Sequence, residues 1–155
     1  MNTTKKSPER YRNAVISHAM IRGAKEALAF YEKAFGAEVI FRIDAPDGTL
    51  GHTEIAIEGS ALMLSEAHPP FVAPDEHGSS VVLHVYVDDV DAVVARAESE
   101  GAEIIDPPAD AAFGARAAIL RDPFGHTWVF LTHIEDVPDD VLERRMNAEV
   151  GDQLP

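Results

Sequence analysis

The sequence contains no cysteine among its 155 residues. This absence excludes disulfide bonds, thiolate nucleophiles and zinc sites with cysteine ligands. The chain also has no apolar run that approaches the roughly 18 residues of a membrane span. Its first dozen residues, MNTTKKSPERYR, lack the apolar core of a secretion signal. We therefore expect a cytoplasmic protein with no membrane partner.

Basic residues are scarce. Thirteen lysines and arginines stand against 27 acidic residues, which gives a formal net charge of −14. Such a chain repels phosphate backbones, so we expect no nucleic-acid partner. The sequence also shows no Ser-His-Asp order, no phosphate-binding loop and no HExxH motif. These absences argue against a nucleophilic hydrolase.

Two stretches of the chain are similar to each other. Residues 16–40 align with residues 82–105, so that His18 falls on His84 and GAEVI falls on GAEII. Downstream, GHTEIAI lies near GARAAIL, with a looser match. Self-similarity at a fixed separation indicates a duplicated supersecondary unit. The sequence therefore predicts two modules of about 65 residues each.

Each module is predicted to have the order βαβββ. Residue periodicity and β-branched composition indicate the strands, and apolar stripes indicate the helices. The predicted first module has a strand at 14–21, a helix at 24–35 and strands at 38–44, 50–57 and 60–66. The predicted second module has a strand at 81–87, a helix at 89–100 and strands at 102–106, 115–121 and 126–134. The fold class is therefore α+β, with a last short helix at about 138–147.

These elements divide the chain into five segments. A flexible N-terminal segment is expected at 1–13, the modules at 14–66 and 81–136, a Pro-rich linker at 67–80, and a C-terminal helix and tail at 137–155. A four-stranded sheet with one helix is covered on one face only. We expect the other faces to be concave and to meet across a cleft, with the helices on the outer side.

Strand alternation assigns side chains to the two faces. His18 and Met20 share one face of the first strand, and His84 and Tyr86 share the matching face of the fifth. If the modules are related by a pseudo-twofold axis, His18 and His84 approach each other across the cleft. Alternatively, both histidines are core residues bonded to the backbone.

Several motifs resemble those of a known superfamily. FYEKAFGAEV, DDVDAVVARAESEGAEI and RDPFGHTWVFLTHIEDV resemble the vicinal-oxygen-chelate superfamily, which includes glyoxalases, bleomycin-resistance proteins and extradiol dioxygenases. LGHTEIAI, FGARAAILRDPFGHTW and the tail HIEDVPDDVLERRM are similar to the PhnB-like subgroup. The resemblance covers about residues 14–147 and implies concave sheets around a metal or substrate pocket. It does not define the activity, because this fold supports many reactions.

The resemblance also implies where metal ligands would stand. Metal-using members have His or Gln on the first strand, His on the fifth, and Glu on the fourth and eighth. These places fall here on Ile16, on Val82, near Met63 and on Val129. His18 and His84 follow the first- and fifth-strand positions by two residues, on the same faces. Two imidazoles without a carboxylate make a weak site for a hard cation, so we expect no obligatory metal. The alternative is a Zn, Ni, Fe or Mn site of His18, His84 and Glu66, with Glu54 or His133 as other displaced ligands.

The predicted ligand site combines the cleft faces of both modules. Its residues are His18, Met20, His52, Met63, His84, Tyr86, Arg116 and Val129. Pockets are mostly apolar with a few polar groups, which this set satisfies. The alternative interpretation of His52 is a solvated strand histidine, and that of Arg116 is a member of an ion pair. His126 is interpreted as the first residue of the eighth strand, with Trp128 and Phe130 in the helix-packed core.

Three functions remain open at this point. The first is a homodimeric small-molecule-binding protein of bleomycin-resistance or PhnB-like type. The second is a metal-dependent lyase, isomerase or dioxygenase that uses His18 and His84 with a displaced acid. The third is an interaction module without a ligand. Metal content distinguishes the second from the first, and an occluded cleft with an exposed apolar patch would indicate the third.

Overall fold

The computed structural model describes residues 9–153, which form two four-stranded sheets and three α-helices. The first module comprises β1 (His18–Ile21), α1 (Ala24–Phe35), β2 (Glu38–Asp44), β3 (Leu50–Ile57) and β4 (Ser60–Glu66). The second comprises β5 (Val82–Tyr86), α2 (Val90–Ser99), β6 (Glu103–Ala111), β7 (Ala115–Arg121) and β8 (Thr127–His133). A last helix, α3 (Asp139–Gln153), follows the second module.

The two sheets have the same topology. The strand orders are β1-β4-β3-β2 and β5-β8-β7-β6, with a parallel first pair and antiparallel neighbours beyond it. The registers also correspond, since His18 lies opposite Met63 and His84 lies opposite Val129. The predicted α+β fold of two βαβββ modules is therefore confirmed.

The helix ends follow local sequence signals. Gly36 ends α1 in the left-handed conformation, at φ 66°, and its backbone N–H donates to the carbonyl of Tyr31. Glycine adopts this conformation without the steric cost that a Cβ brings. At the start of α2, the Asp89 side chain accepts a hydrogen bond from the backbone N–H of Ala92. This N-cap satisfies a donor that the first turn leaves free.

One hydrophobic core joins the two modules. The core side chains come from α1, from α2 and from both sheets. The Phe35 ring of α1 lies 4.8 Å from the Trp128 ring and 4.7 Å from the Phe130 ring of β8. Arg96 of α2 donates to the carbonyl of Ala34. Since both helix-packed faces share this core, the opposite face of each sheet turns away from it.

Some element boundaries differ from the prediction. β1 begins at His18 rather than at residue 14, because its parallel pairing with β4 begins only at Met63. β6 extends to Ala111 through two prolines, Pro107 and Pro108. This extension is possible because β6 is an edge strand with a register shift, where a missing backbone donor is tolerated. The last helix reaches Gln153.

The N-terminal segment lies only partly within the described residues. Residues 1–8 of the predicted segment 1–13 fall outside them, and Glu9–Tyr11 form a 3₁₀ turn. Within the described part of the chain, no helix has the length and apolar character needed to cross a bilayer.

Candidate functional site

The concave face of the first sheet carries a group of histidine, methionine and serine side chains. His18 and Met20 of β1 lie opposite Met63 and Ser65 of the parallel neighbour β4. His18 Nε2 lies 2.9 Å from the Ser65 hydroxyl, which donates to the Met20 sulfur at 3.6 Å. The His52 ring of β3 packs edge-on against His18, with 5.3 Å between ring centroids. Four of the predicted site residues are thus brought together.

The environment of His18 favours its neutral form. Burial is the largest cause that lowers its pKa below the ordinary value of 6.5, followed by the charges of His52 and His68. A neutral imidazole offers one N–H donor and one nitrogen acceptor. His18 is therefore suited to hydrogen bonding with a ligand at neutral pH.

A buried carboxylate, Glu54, lies on the same face; the sequence named it only as a displaced ligand of the alternative metal site and not as part of the organic-ligand site. Glu54 of β3 is 0% exposed, lies opposite Met63 and accepts a hydrogen bond from the Tyr11 hydroxyl. A sequence signal for it did exist, since Glu54 follows His52 by two residues and so shares its strand face. Its burial depends on the N-terminal segment, which no local pattern predicts.

A cavity of about 380 Å³ opens beside the edge strand β1. We call it the β1 cavity, and its lining residues are Ser17, His18, Ala19, Met20, Leu62, Val72, Ala73, Pro74, Asp75, Gly78, Ser79, Ser80, Val81, Leu83 and His126. This volume lies within the usual range for small-molecule pockets. Half of the lining comes from the segment 72–81, so the linker between the modules forms a wall of the cavity.

The Asp-Pro-Phe-Gly turn places His126 in that lining. Asp122 is buried and accepts hydrogen bonds from the Tyr31 hydroxyl, the Trp128 indole and the backbone N–H groups of Phe124 and His126. This fixed turn holds His126 immediately before β8, which begins one residue later than predicted.

The His126 side chain then reaches the first module. Its Nε2 lies 3.2 Å from the Met20 carbonyl of β1. Sequence reasoning interpreted this histidine as the start of a strand and did not place it in the ligand site. No local signal could have placed it there, since the contact joins residues 106 positions apart.

The predicted site residues of the second module form a separate group. His84, Tyr86 and Val129 lie on the concave face of the second sheet, where His84 pairs with Val129. His84 and Tyr86 border a second cavity of about 390 Å³, the β5 cavity, which shares the lining residues Ser17, Leu62 and Leu83 with the β1 cavity. Within residues 9–153, no hydrogen bond or ring contact joins this group to His18.

Arg116 is placed away from both concave groups. Its guanidinium donates to the carboxylates of Asp91 on α2 and Asp110 on β6, at 2.6 and 3.1 Å. The shorter of these bonds joins β7 to the first turn of α2, on the helix-packed side of the sheet. Asp91, with its pKa lowered by the Arg116 hydrogen bonds, is the ionised partner. The structure thus gives Arg116 the ion-pair role that the sequence left open.

The residues present do not suit a divalent metal of the superfamily type. Met63 and Val129 stand opposite the two strand histidines and offer no oxygen ligand. Glu66 lies at the α1 N-terminus, where its two oxygens accept from the backbone N–H groups of Gly23 and Ala24. Across the described ranges, no three His, Cys, Asp or Glu side chains are grouped as a metal site. Hard cations prefer anionic oxygen ligands, and the carboxylate on this face, Glu54, already accepts a hydrogen bond from the Tyr11 hydroxyl.

The chain has the architecture of a paired-module protein, in which two βαβββ modules share one core and each has a concave sheet face. A family model described as the Glyoxalase/Bleomycin resistance protein/Dioxygenase superfamily matches residues 16–130. An uncharacterized protein of Mycobacterium tuberculosis, Rv0887c, is 32% identical over 142 residues, which cover 88% of this chain and 84% of that protein. The chain belongs to the glyoxalase/bleomycin resistance/dioxygenase superfamily.

Solved structures show the same fold. The crystal structure of TioX from Micromonospora sp. ML1 has a TM-score of 0.63 at 25% identity, covering 81% of this chain and 99% of that chain. The structure of a putative 3-demethylubiquinone-9 3-methyltransferase, PhnB protein, from Bacillus cereus has a TM-score of 0.59 at 20% identity. That match covers 76% of this chain and 98% of the Bacillus chain, and it concerns the fold alone.

Proposed function

We propose that the protein binds a small organic molecule in the β1 cavity, as a cytoplasmic homodimer and without an obligatory metal. We place it in the PhnB-like or bleomycin-resistance branch of the superfamily, on the motifs LGHTEIAI and FGARAAILRDPFGHTW. The single observation that carries the proposal is the β1 cavity itself. It is of ligand size, and polar groups and apolar side chains line it together.

The homodimer is supported by apolar side chains that are exposed on both concave faces. Phe41 and Ile43 are 45% and 53% exposed on the first sheet, and Val82 and Tyr86 are 45% and 56% exposed on the second. Large apolar patches of this kind mark interaction sites. Because the helix-packed faces are already used within the chain, we infer that a second copy covers the concave faces.

Ligand binding is tested by thermal shift with a panel of drugs and metabolites. A ligand present at about 100 times its Kd stabilises the folded state by about 2.7 kcal/mol, which raises the Tm by roughly 5–10 °C. The substitution Ala73→Trp fills the β1 cavity from the linker wall and should abolish the shift. Ala29→Trp, on the exposed surface of α1, is the matched control and should retain it. A panel without any shift, together with a cavity filled by side chains in a solved structure, would remove the proposal.

Metal content is tested by elemental analysis of protein purified without a chelator. The expected result is less than stoichiometric Zn, Ni, Fe or Mn. A stoichiometric metal that is lost in His84→Ala would instead establish the metal-dependent enzyme. The control for that loss is His77→Ala, which removes an exposed linker histidine outside both cavities.

A further inference from the structure

The hydrogen bonds around the two histidines of the β1 cavity fix their protons. The carbonyl of Met20 can only accept, so His126 Nε2, at 3.2 Å, must carry the proton. The same reasoning applies to His18. We assign the Ser65 hydroxyl proton to the Met20 sulfur at 3.6 Å, which leaves the hydroxyl oxygen to accept from His18 Nε2 at 2.9 Å. A neutral imidazole with its proton on Nε2 leaves a lone pair at Nδ1.

These Nδ1 atoms have no partner within the described protein. In the described chain, the ring hydrogen bonds of both histidines are made at Nε2, and the other bond of His126 is made by its backbone N–H. Among the described buried side-chain atoms, those without a partner are Thr53 Oγ1 and Arg121 Nε. The His126 Nδ1 is therefore not sealed in the core. Both rings line the β1 cavity.

The charges of the cavity lining also favour a ligand that donates hydrogen bonds and carries no negative charge. Among the described residues that line the β1 cavity, Asp75 carries a carboxylate and there is no lysine or arginine. The whole chain has a net charge of −14. An anionic ligand would meet repulsion on entry and no cationic partner inside. A ligand that donates hydrogen bonds would instead satisfy acceptors that are otherwise left to water.

We propose that the β1 cavity selects neutral or cationic organic ligands that donate an N–H or O–H group, with His18 and His126 as the acceptors at Nδ1. Ser65 acts as a positioning residue, because its hydroxyl holds the His18 proton on Nε2. This inference rests on the proposed binding function and names the ligand class of that same cavity.

The test is a set of four naphthalene probes that differ in one substituent, measured by isothermal titration calorimetry on the full chain. The probes are 2-naphthylmethylamine, 2-naphthylmethanol, 2-(methoxymethyl)naphthalene and 2-naphthoate. We expect the amine and the alcohol to bind about 3- to 10-fold more tightly than the ether, as one hydrogen bond predicts. The naphthoate should bind more weakly than the ether.

Two variants separate the acceptor from the general shape of the cavity. His18→Phe keeps a ring on the exposed face of β1 but removes one of the two acceptors, so the alcohol should lose part of its advantage over the ether, while the His126 acceptor remains. His77→Phe, on the exposed part of the linker, is the matched control and should change nothing. Ser65→Ala should change the tautomer of His18, observed as altered imidazole ¹⁵N chemical shifts by NMR, and should weaken the alcohol and the amine together.

The outcomes distinguish the inference from the function on which it rests. If the naphthoate binds most tightly, the charge selection is wrong while ligand binding stands. If the alcohol equals the ether and His18→Phe changes neither, the acceptor role is wrong. If none of the four probes binds, the ligand cavity itself fails, and the inference fails with it.

Discussion

At the scale of single residues, the clearest structural role belongs to the buried carboxylate of Asp122. Its two oxygens accept four hydrogen bonds, from Tyr31, Trp128 and two backbone N–H groups of its own turn. The hydrogen bond from the Tyr31 hydroxyl joins α1 to the turn between β7 and β8, over 91 positions of the chain. Burial and the Asp122 charge raise the pKa of Tyr31 well above its ordinary value, so its hydroxyl keeps the proton that it donates.

We predict that Asp122→Ala lowers the free energy of unfolding by about 3–5 kcal/mol, because buried donors lose a charged acceptor. Chemical denaturation monitored by circular dichroism measures the change. The matched control is Asp47→Ala, an exposed turn carboxylate that also accepts from a backbone N–H and a hydroxyl, both of Thr49. Its cost should stay below about 1 kcal/mol because water replaces the lost bonds. Equal losses in the two variants would contradict the argument.

His18 carries a pH prediction. Its pKa in the folded protein is lowered from 6.5 by burial, then by His52 and His68. The unfolded chain therefore takes up this proton at a higher pH than the folded chain. The stability that neutral His18 contributes is present above pH 6.5 and is lost as the pH falls below it. An NMR titration of the imidazole protons should give a midpoint below 6.5.

The neighbouring ring provides the control for that titration. His52→Gln removes one of the charges that disfavour protonation of His18, so the midpoint should move upward toward 6.5. Burial still lowers the pKa of His18 in this variant, so the midpoint should move only part of the way to 6.5. A midpoint of 6.5 or higher in the unsubstituted protein would show that His18 is more solvated than the structure indicates.

At the scale of elements, a close backbone approach attaches the segment after β8 to the start of β7. Gly114 has φ +84°. Its N–H donates to the Ala111 carbonyl in the turn before β7, and its carbonyl accepts from the Ile134 and Glu135 N–H groups after β8. A Cβ at this position would lie 2.3 Å from the Glu135 carbonyl oxygen and 2.8 Å from a Val137 methyl group. Only glycine fits here, since both the left-handed backbone and the contact exclude a side chain.

We predict that Gly114→Ala destabilises the protein by about 3 kcal/mol more than Gly48→Ala does. Gly48 is the matched control because it has φ +86° and no atom within 4 Å of a Cβ. Backbone strain alone, about 1 kcal/mol, therefore accounts for the Gly48 variant. Thermal denaturation of the two variants measures the difference, and similar Tm values would show that residues 135–137 move away at little cost.

At the scale of the whole molecule, the common core determines which surfaces remain for other molecules. The modules pack through α1, α2 and β8, so both concave faces lie outside this core. The proposed second copy would cover these faces and exclude water from their apolar strands.

Sedimentation velocity should show a species of twice the chain mass. A charge in the middle of the interface is costly, so Tyr86→Asp should weaken association about tenfold or more. Met146→Asp is the control, because Met146 is an exposed apolar residue of α3, outside both concave faces. A monomer at all concentrations, or equal effects of the two substitutions, would contradict the dimer.

Part of the site was predictable because it depends on neighbours along one strand. Alternation placed His18 and Met20 on one face and Trp128 and Phe130 on the other, as the structure confirms. Alternation gives no information on which strand lies next in space. The contact of His126 with Met20, the linker wall of the cavity and the burial of Glu54 under Tyr11 all join residues at least 43 positions apart or in different modules.

The sequence by itself determined the duplicated βαβββ fold, the ends of α1 and the Asp-Pro-Phe-Gly turn. Each of these depends on periodicity, glycine conformation or bonds over a few residues. The tertiary structure alone decided that the helix-packed faces share a core, that Arg116 pairs with Asp91 and that His18 and His126 line one cavity. The physical reason is that these features follow from packing between modules, and that packing depends on shape and burial across the whole chain.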